Sequence, residues 1–264
     1  MEIVIFARYW EPGAVKTRLC PPLRPIEASR LSRLFLDVLV ARLKTVTGLS
    51  PVIAFEPYRA RPSFARRYPA VALEPQRGAE LGEKLVHVAS RRKNPCLITG
   101  SDCPTTPLAS FRLSAQALRG GADVIIAPTE DGGTHILGAQ PKCAHWFDGI
   151  PWSSGKEGRV LEERARNNGW RCTRLPMWYD VDRASDIPRA LRDLEACVSR
   201  GEFDPAIIER DHRFLADLKA RIRPLPEGSG TETTGCRSSR TCVAAKQTQQ
   251  KETTCRTRTI NPRI

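Results

Sequence analysis

An α/β fold, with a mainly parallel sheet and helices on both faces, is what this 264-residue chain predicts. Three observations carry the expectation. Short apolar runs alternate with segments of helical spacing, and several runs are apolar almost without interruption, as buried central strands are. Residues able to do chemistry also cluster just after those runs, where open α/β sheets bind their ligands.

The strands are expected at Met1 to Phe6, Pro51 to Phe55, Val71 to Leu73, Cys96 to Thr99, Val124 to Ala127, Ile136 to Gly138 and Cys172 to Leu175. Between the first two, Leu31, Leu34, Phe35, Val38 and Leu39 recur at helical spacing. Leu81, Leu85 and Val88 do the same, as do Phe111, Leu113, Ala117 and Leu118, and then Ile187, Leu191 and Leu194. Residues 1–223 thus form one expected domain. From 224 to 264 the chain is Thr, Ser, Gln, Arg and Gly with almost no large apolar side chains, too little to offset the entropy of ordering, so a disordered basic tail is expected.

Composition narrows the function. With 41% hydrophobic and 27% charged residues the chain has material for a core, and no run approaches the roughly 20 apolar residues of a membrane span. The start, Met1-Glu2-Ile3-Val4-Ile5-Phe6, lacks the basic region and cleavage site of a signal peptide, which reads as a cytoplasmic protein. Nine irregularly spaced cysteines without a CxxC pair suit neither a disulfide framework nor a zinc site. The net charge of +13 invites a nucleic-acid partner, yet Arg is spread along the whole chain with few aromatics beside it, so no specific nucleic acid is expected.

Four motifs sit at strand ends. The first is the basic loop Ala7-Arg8-Tyr9-Trp10-Glu11-Pro12-Gly13-Ala14-Val15-Lys16-Thr17-Arg18, which offers backbone N–H groups and the cations Lys16 and Arg18 to a phosphate but lacks the spacing of a Walker loop. Next comes Gly100-Ser101-Asp102-Cys103-Pro104, where Asp102 suits a hard divalent cation and equally an Asx turn or helix cap. In Glu130-Asp131-Gly132-Gly133 the glycines admit a close backbone approach and the acid suits sugar hydroxyls, while Asp-Gly is also a common hairpin turn. Finally, in Tyr179-Asp180-Val181-Asp182 a second carboxylate could close a metal site with Asp102, or Asp182 or Ser185 could cap the next helix.

These motifs, together with Gln76-x-Gly78-x-x-Leu81-Gly82-Glu83-Lys84-Leu85 and Ile150-Pro151-Trp152-Ser153, resemble the bacterial nucleotide-diphospho-sugar transferase-like family, some of whose members are called arsenosugar-biosynthesis-type glycosyltransferases. The similarity runs in order over residues 1 to about 195. It implies a Rossmann-like GT-A fold, shared with molybdenum-cofactor and 2-phospholactate guanylyltransferases, and a transferase using Mg²⁺ or Mn²⁺. Carried over by position, Ala7, Arg8, Gly13, Lys16 and Arg18 would bind the nucleotide, with Gln76 and Gly78 near the base or ribose. Asp102 and Asp182 would hold the metal, Asp131, Gly132, Gly133 and Trp152 would face the sugar or acceptor, and Lys16, Arg18 and Asp131 would be catalytic.

The chain departs from the family pattern on the acceptor side, where Thr134-His135 replaces an aromatic pair and Ser154-Gly155-Lys156-Glu157-Gly158-Arg159 follows Ser153. His135 suits a general base, although a lone His on a strand is more often structural. The resemblance implies glycosyl transfer from a nucleotide sugar to a small-molecule acceptor; nucleotidyl transfer from a nucleoside triphosphate, with pyrophosphate release, is the alternative. A non-catalytic nucleotide or nucleic-acid binder is the rival from another class, and a homodimer stays open.

Overall fold

Residues 1–222 are described by a computed structural model; the tail expected at 224–264 lies outside them. Seven strands form one sheet: β1 (Glu2–Arg8), β2 (Ser50–Glu56), β3 (Ala72–Pro75), β4 (Cys96–Gly100), β5 (Val124–Pro128), β6 (Thr134–Ala139) and β7 (Cys172–Arg174). Their order is β3-β2-β1-β4-β6-β5-β7, parallel throughout except for β6, which runs against both β4 and β5. All seven expected strands are therefore present, and the turn at Glu130 to Gly133 makes the hairpin from which β6 returns.

The eight helices among the described residues are α1 (Pro25–Lys44), α2 (Arg61–Arg67), α3 (Leu81–Ser90), α4 (Leu108–Arg119), α5 (Glu157–Asn167), α6 (Ile187–Ser199), α7 (Ala206–Glu209) and α8 (His212–Arg221). Alternation along the strands divides them between two cores. Ile3 and Ile5, with Ile53, Phe55 and Leu97, bury against α1, α2 and α4 through Leu39, Leu43, Phe64 and Phe111. Val4, Ala54, Ile98 and Ile126 face the other way, onto α3 and α5 through Leu85, Val88 and Leu161, and onto Trp146 and Phe147. Each such fully buried side chain contributes about 2 kcal/mol.

Helix α1 is buried on two sides. Leu36, Leu39, Val40 and Leu43 face the sheet, while Leu31, Leu34, Phe35 and Val38 pack on α6 and α8 through Leu191, Leu194, Phe214 and Leu218. Pro25 starts it at a position where no N–H is missed, and the Glu27 carboxylate accepts the Arg24 backbone N–H at 2.8 Å. The cap expected near Asp182 or Ser185 belongs instead to Asp186, whose carboxylate accepts the N–H groups of Asp182 and Arg183 at 3.0 and 2.6 Å. No described helix is long and apolar enough to cross a membrane.

One consequence of the strand order positions everything that follows. From β1 the chain moves outward to β2 and β3, then crosses back to pair β4 on the other side of β1. Such a reversal leaves a crevice at the carboxyl ends of β1 and β4, because the connections on either side diverge.

Candidate active site

A cleft of about 620 Å³ opens at that crevice, and its lining includes Ala7, Arg8, Lys16, Arg18, Glu56, Gln76, Asp102 and Asp182. A second cleft of about 700 Å³ lies near the amino ends of the strands; its buried Arg92 is neutralised by Glu2 and Glu74, each at 2.9 Å. The charged side chains of the strand-end motifs gather at the first.

The loop after β1 turns inward at Lys16, a non-glycine residue in the left-handed region (φ 50°, ψ 36°) that caps the short 3-10 turn Thr17–Leu19. Its side chain is only 5% exposed. The ammonium lies 2.6 Å from Asp102 Oδ1 and 3.7 Å from Asp182 Oδ1, and donates to the Val181 carbonyl at 2.7 Å. Burial alone would depress this lysine's pKa, but the Asp102 carboxylate, backed by Asp182, holds it above the ordinary value, so it stays charged. Arg18, on the exposed side, reaches Asp182 Oδ2 at 3.0 Å.

The carboxylates arrive from two strand ends. Asp102 follows β4, and its carbonyl accepts the Val181 N–H at 3.1 Å, which ties that end to the Asp180-Val181-Asp182 segment after β7. Asp180 is pushed up to about 6, first by burial and then by Asp182 and Asp131. On the cleft lining the carboxylates of Asp102, Asp182, Glu56 and Glu80 are matched in number by Lys16, Arg18, Arg8 and Lys84, and Asp180 and Asp131 lie outside it.

On the opposite wall Glu56, at the end of β2, is bracketed by Arg8 and Lys84, each at 2.6 Å. Burial would raise its carboxyl, yet the hydrogen bonds from Lys84 and Arg8 prevail and hold it low. No local pattern announces this cluster: Arg8 and Glu56 meet because β1 and β2 pair side by side, and Lys84 reaches Glu56 from α3. Gln76 uses its side-chain amide to donate to the carbonyls of Ala54 and Ala7, at 2.8 and 3.3 Å, fastening the ends of β1 and β2.

The remaining expected residues lie off the cleft lining. Gly13 and Gly78 shape its loops. Asp131 is spent largely on its own turn, where Oδ1 accepts from Thr129 Oγ1 at 2.5 Å and from the Gly133 N–H at 3.1 Å. Gly132 meets the backbone of Gly155, which docks the 153–158 segment onto the β5–β6 turn. Trp152 packs over Gly82 at the start of α3, and Ser153 takes the place on the cleft wall. His135 is buried between Thr106 Oγ1 and the Pro176 carbonyl, both at 3.4 Å, and burial lowers its pKa to about 4, so it stands neutral and away from the cleft.

Among the described residues no three His, Cys, Asp or Glu side chains are arranged to hold a metal ion. Asp102 and Asp182 nevertheless converge on one cation, the Lys16 ammonium. Such a pair fits Mg²⁺ or Mn²⁺, which take one or two protein carboxylates and complete their shells with phosphate and water oxygens.

The mixed sheet, the switch-point cleft and its cation–carboxylate lining define a Rossmann-like domain of the GT-A and nucleotidyltransferase type. Within it, residues 39–154 match the model of a family described as "Uncharacterized protein conserved in bacteria (DUF2064)". The chain is similar to a candidate nucleotide-diphospho-sugar transferase from Desulfovibrio desulfuricans G20, with 25% identity and a TM-score of 0.72 over 82% of this chain and 97% of that one. The resemblance read from the motifs, to the nucleotide-diphospho-sugar transferase-like family, is thereby borne out. A cytidylyltransferase from Leptospira borgpetersenii serovar Hardjo-bovis shares the fold at 13% identity and a TM-score of 0.50, covering 82% and 95% of the two chains. No curated protein matches the sequence.

Proposed function

We propose that the protein transfers a sugar from a nucleotide-diphospho-sugar donor to a small-molecule acceptor, with Mg²⁺ or Mn²⁺ held by Asp102 and Asp182. The observation that carries this reading is the placement of two carboxylates and two loop cations around one point of the switch-point cleft. The family resemblance and the likeness to the Desulfovibrio protein support it.

In this reading Asp102 and Asp182 would hold the divalent ion, which when bound would neutralise the donor's diphosphate and make it a better leaving group. Lys16 and Arg18 then supply fixed positive charge where negative charge grows on the departing phosphate oxygens. Arg8, Lys84 and Glu56 form the opposite wall, and Gln76 keeps the ends of β1 and β2 in register beneath the nucleotide. The bond from the anomeric carbon to the diphosphate oxygen breaks, one from that carbon to an acceptor hydroxyl oxygen forms, the hydroxyl proton passes to water, and nucleoside diphosphate leaves.

Nucleotidyl transfer is the second reading, favoured by the two cations on one short loop, which suit a triphosphate, and by the shared fold of a cytidylyltransferase. Incubation with Mn²⁺, sugar nucleotides, nucleoside triphosphates and an acceptor panel separates the two. Nucleoside diphosphate released from a sugar nucleotide is the expected product. Pyrophosphate released from a triphosphate in the presence of a phosphorylated acceptor would replace glycosyl with nucleotidyl transfer.

A further inference from the structure

The Lys16 ammonium occupies the point on which Asp102 and Asp182 converge. It is 2.6 and 3.7 Å from their Oδ1 atoms, it is held there by the Val181 carbonyl at 2.7 Å, and its side chain is nearly closed off from solvent. Arg18 covers the other oxygen of Asp182 at 3.0 Å. Both cations of the nucleotide loop are therefore paired with the carboxylates proposed to bind metal, and two positive charges cancel two negative ones.

We infer that Lys16 is a resident stand-in for the divalent cation, so that metal and nucleotide enter together by an exchange of ion-pair partners. The inference rests on the assignment of Asp102 and Asp182 as metal ligands. A divalent ion arriving alone must expel a buried ammonium that then has no anion to receive it, which is unfavourable because a buried charge that loses its partner is left uncompensated. A nucleotide arriving alone meets cations already neutralised. When both arrive, the ion takes the carboxylates while Lys16 and Arg18 pass to the phosphates, and every charge keeps a partner. The left-handed backbone of Lys16 belongs to the waiting state, and movement of the loop toward a phosphate relieves it. Linkage then requires each ligand to strengthen the other's binding by the same factor.

The test reads Mn²⁺ binding to the nucleotide-free protein by electron paramagnetic resonance. Wild type is expected to bind Mn²⁺ weakly alone and at least tenfold more tightly in the presence of UDP or GDP, after correction for Mn²⁺ held by the free nucleotide. Lys16→Met is expected to bind Mn²⁺ alone at least tenfold more tightly than wild type, a gain that Asp102→Asn in the same chain removes. Lys16→Gln, which can still hydrogen bond to the carboxylates, serves as a second variant, with circular dichroism to show that each is folded. If wild type takes up Mn²⁺ alone as tightly as with nucleotide, and Asp102→Asn abolishes that uptake, the stand-in role is overturned while the metal site remains. If no Mn²⁺ binds with or without UDP or GDP in any variant, the metal assignment falls and this inference with it.

Discussion

Gly132 and Gly155 meet backbone to backbone: a Cβ placed on Gly132 would stand 2.0 Å from the Gly155 carbonyl oxygen. Gly132 also has φ of +90°, where L side chains are strained. The contact holds the segment that carries Ser153 to the cleft wall against the β5–β6 turn, a bond reinforced by the Gly158 N–H to the Gly132 carbonyl at 3.3 Å. Gly132→Ala is therefore expected to cost about 2 kcal/mol or more in urea denaturation, from overpacking and strain together. Its turnover should fall as well. Gly149→Ala is the comparison: its φ is also positive, at +59°, but nothing lies within 4 Å of the added methyl, so only the backbone cost of about 1 kcal/mol is expected.

Asp102→Asn keeps the shape of the side chain and removes its charge. Transfer should drop by about a hundredfold or more, as when a group stabilising transition-state charge is lost. The melting temperature should fall as well, because the buried Lys16 ammonium keeps only Asp182, at 3.7 Å, as a charged partner, so turnover is compared at a temperature where both proteins are folded. Asp182→Asn should behave alike. Equal turnover in wild type and Asp102→Asn would remove the metal from the mechanism.

Arg42 is fully buried and binds three acceptors on two separate parts of the chain: the carbonyls of Pro104 and Thr106, just beyond Asp102, and the carboxylate of Glu202. Replacing it with Met leaves two carbonyls without their donor and Glu202 with only its exposed partner Arg200. A loss of about 3–5 kcal/mol is expected in chemical denaturation. Arg42→Lys should recover only part of it, because an ammonium cannot reproduce the planar fork that spans these acceptors.

His135 gives a pH dependence with a definite sign. Its pKa is about 4 in the fold and ordinarily 6.5, so above pH 6.5 both folded and unfolded chains carry it neutral and it costs nothing. Below pH 6.5 the unfolded chain takes up a proton that the folded chain refuses, and stability falls until about pH 4. The full effect is about 3.5 kcal/mol, from roughly 1.4 kcal/mol per unit. Denaturation curves from pH 7 to 4 should show this decline in wild type and a shallower one in His135→Gln; identical slopes would place the pH dependence elsewhere.

All seven strands and four of the helices can be read from local apolar pattern, because a strand or an amphipathic helix advertises its buried face in its own spacing. Helix α5 escaped that reading. Its sequence, Glu157 to Asn167, is dominated by charged side chains and buries only Gly158, Leu161 and Ala165 beside Glu157. The short α2 and α7 carry too few apolar positions for a period to emerge, whereas the ten-residue α8 does present Phe214, Leu215 and Leu218 at helical spacing.

The site divides in the same way. By itself the sequence determined that Lys16 and Arg18, Asp102, Asp131 and Asp182 each lie at the carboxyl end of a strand, where a turn must expose them, and that together they resemble a nucleotide-diphospho-sugar transferase-like family. Only the tertiary structure decided which of them meet. Strand order put β1 between β2 and β4, so that Glu56 came to face Arg8 and Lys84, and Lys16 came to lie buried between Asp102 and Asp182. Backbone packing turned Gly132 toward Gly155 and Trp152 toward Gly82. These outcomes depend on pairings between residues far apart in the chain, and local spacing carries no information about which strand becomes the neighbour of which.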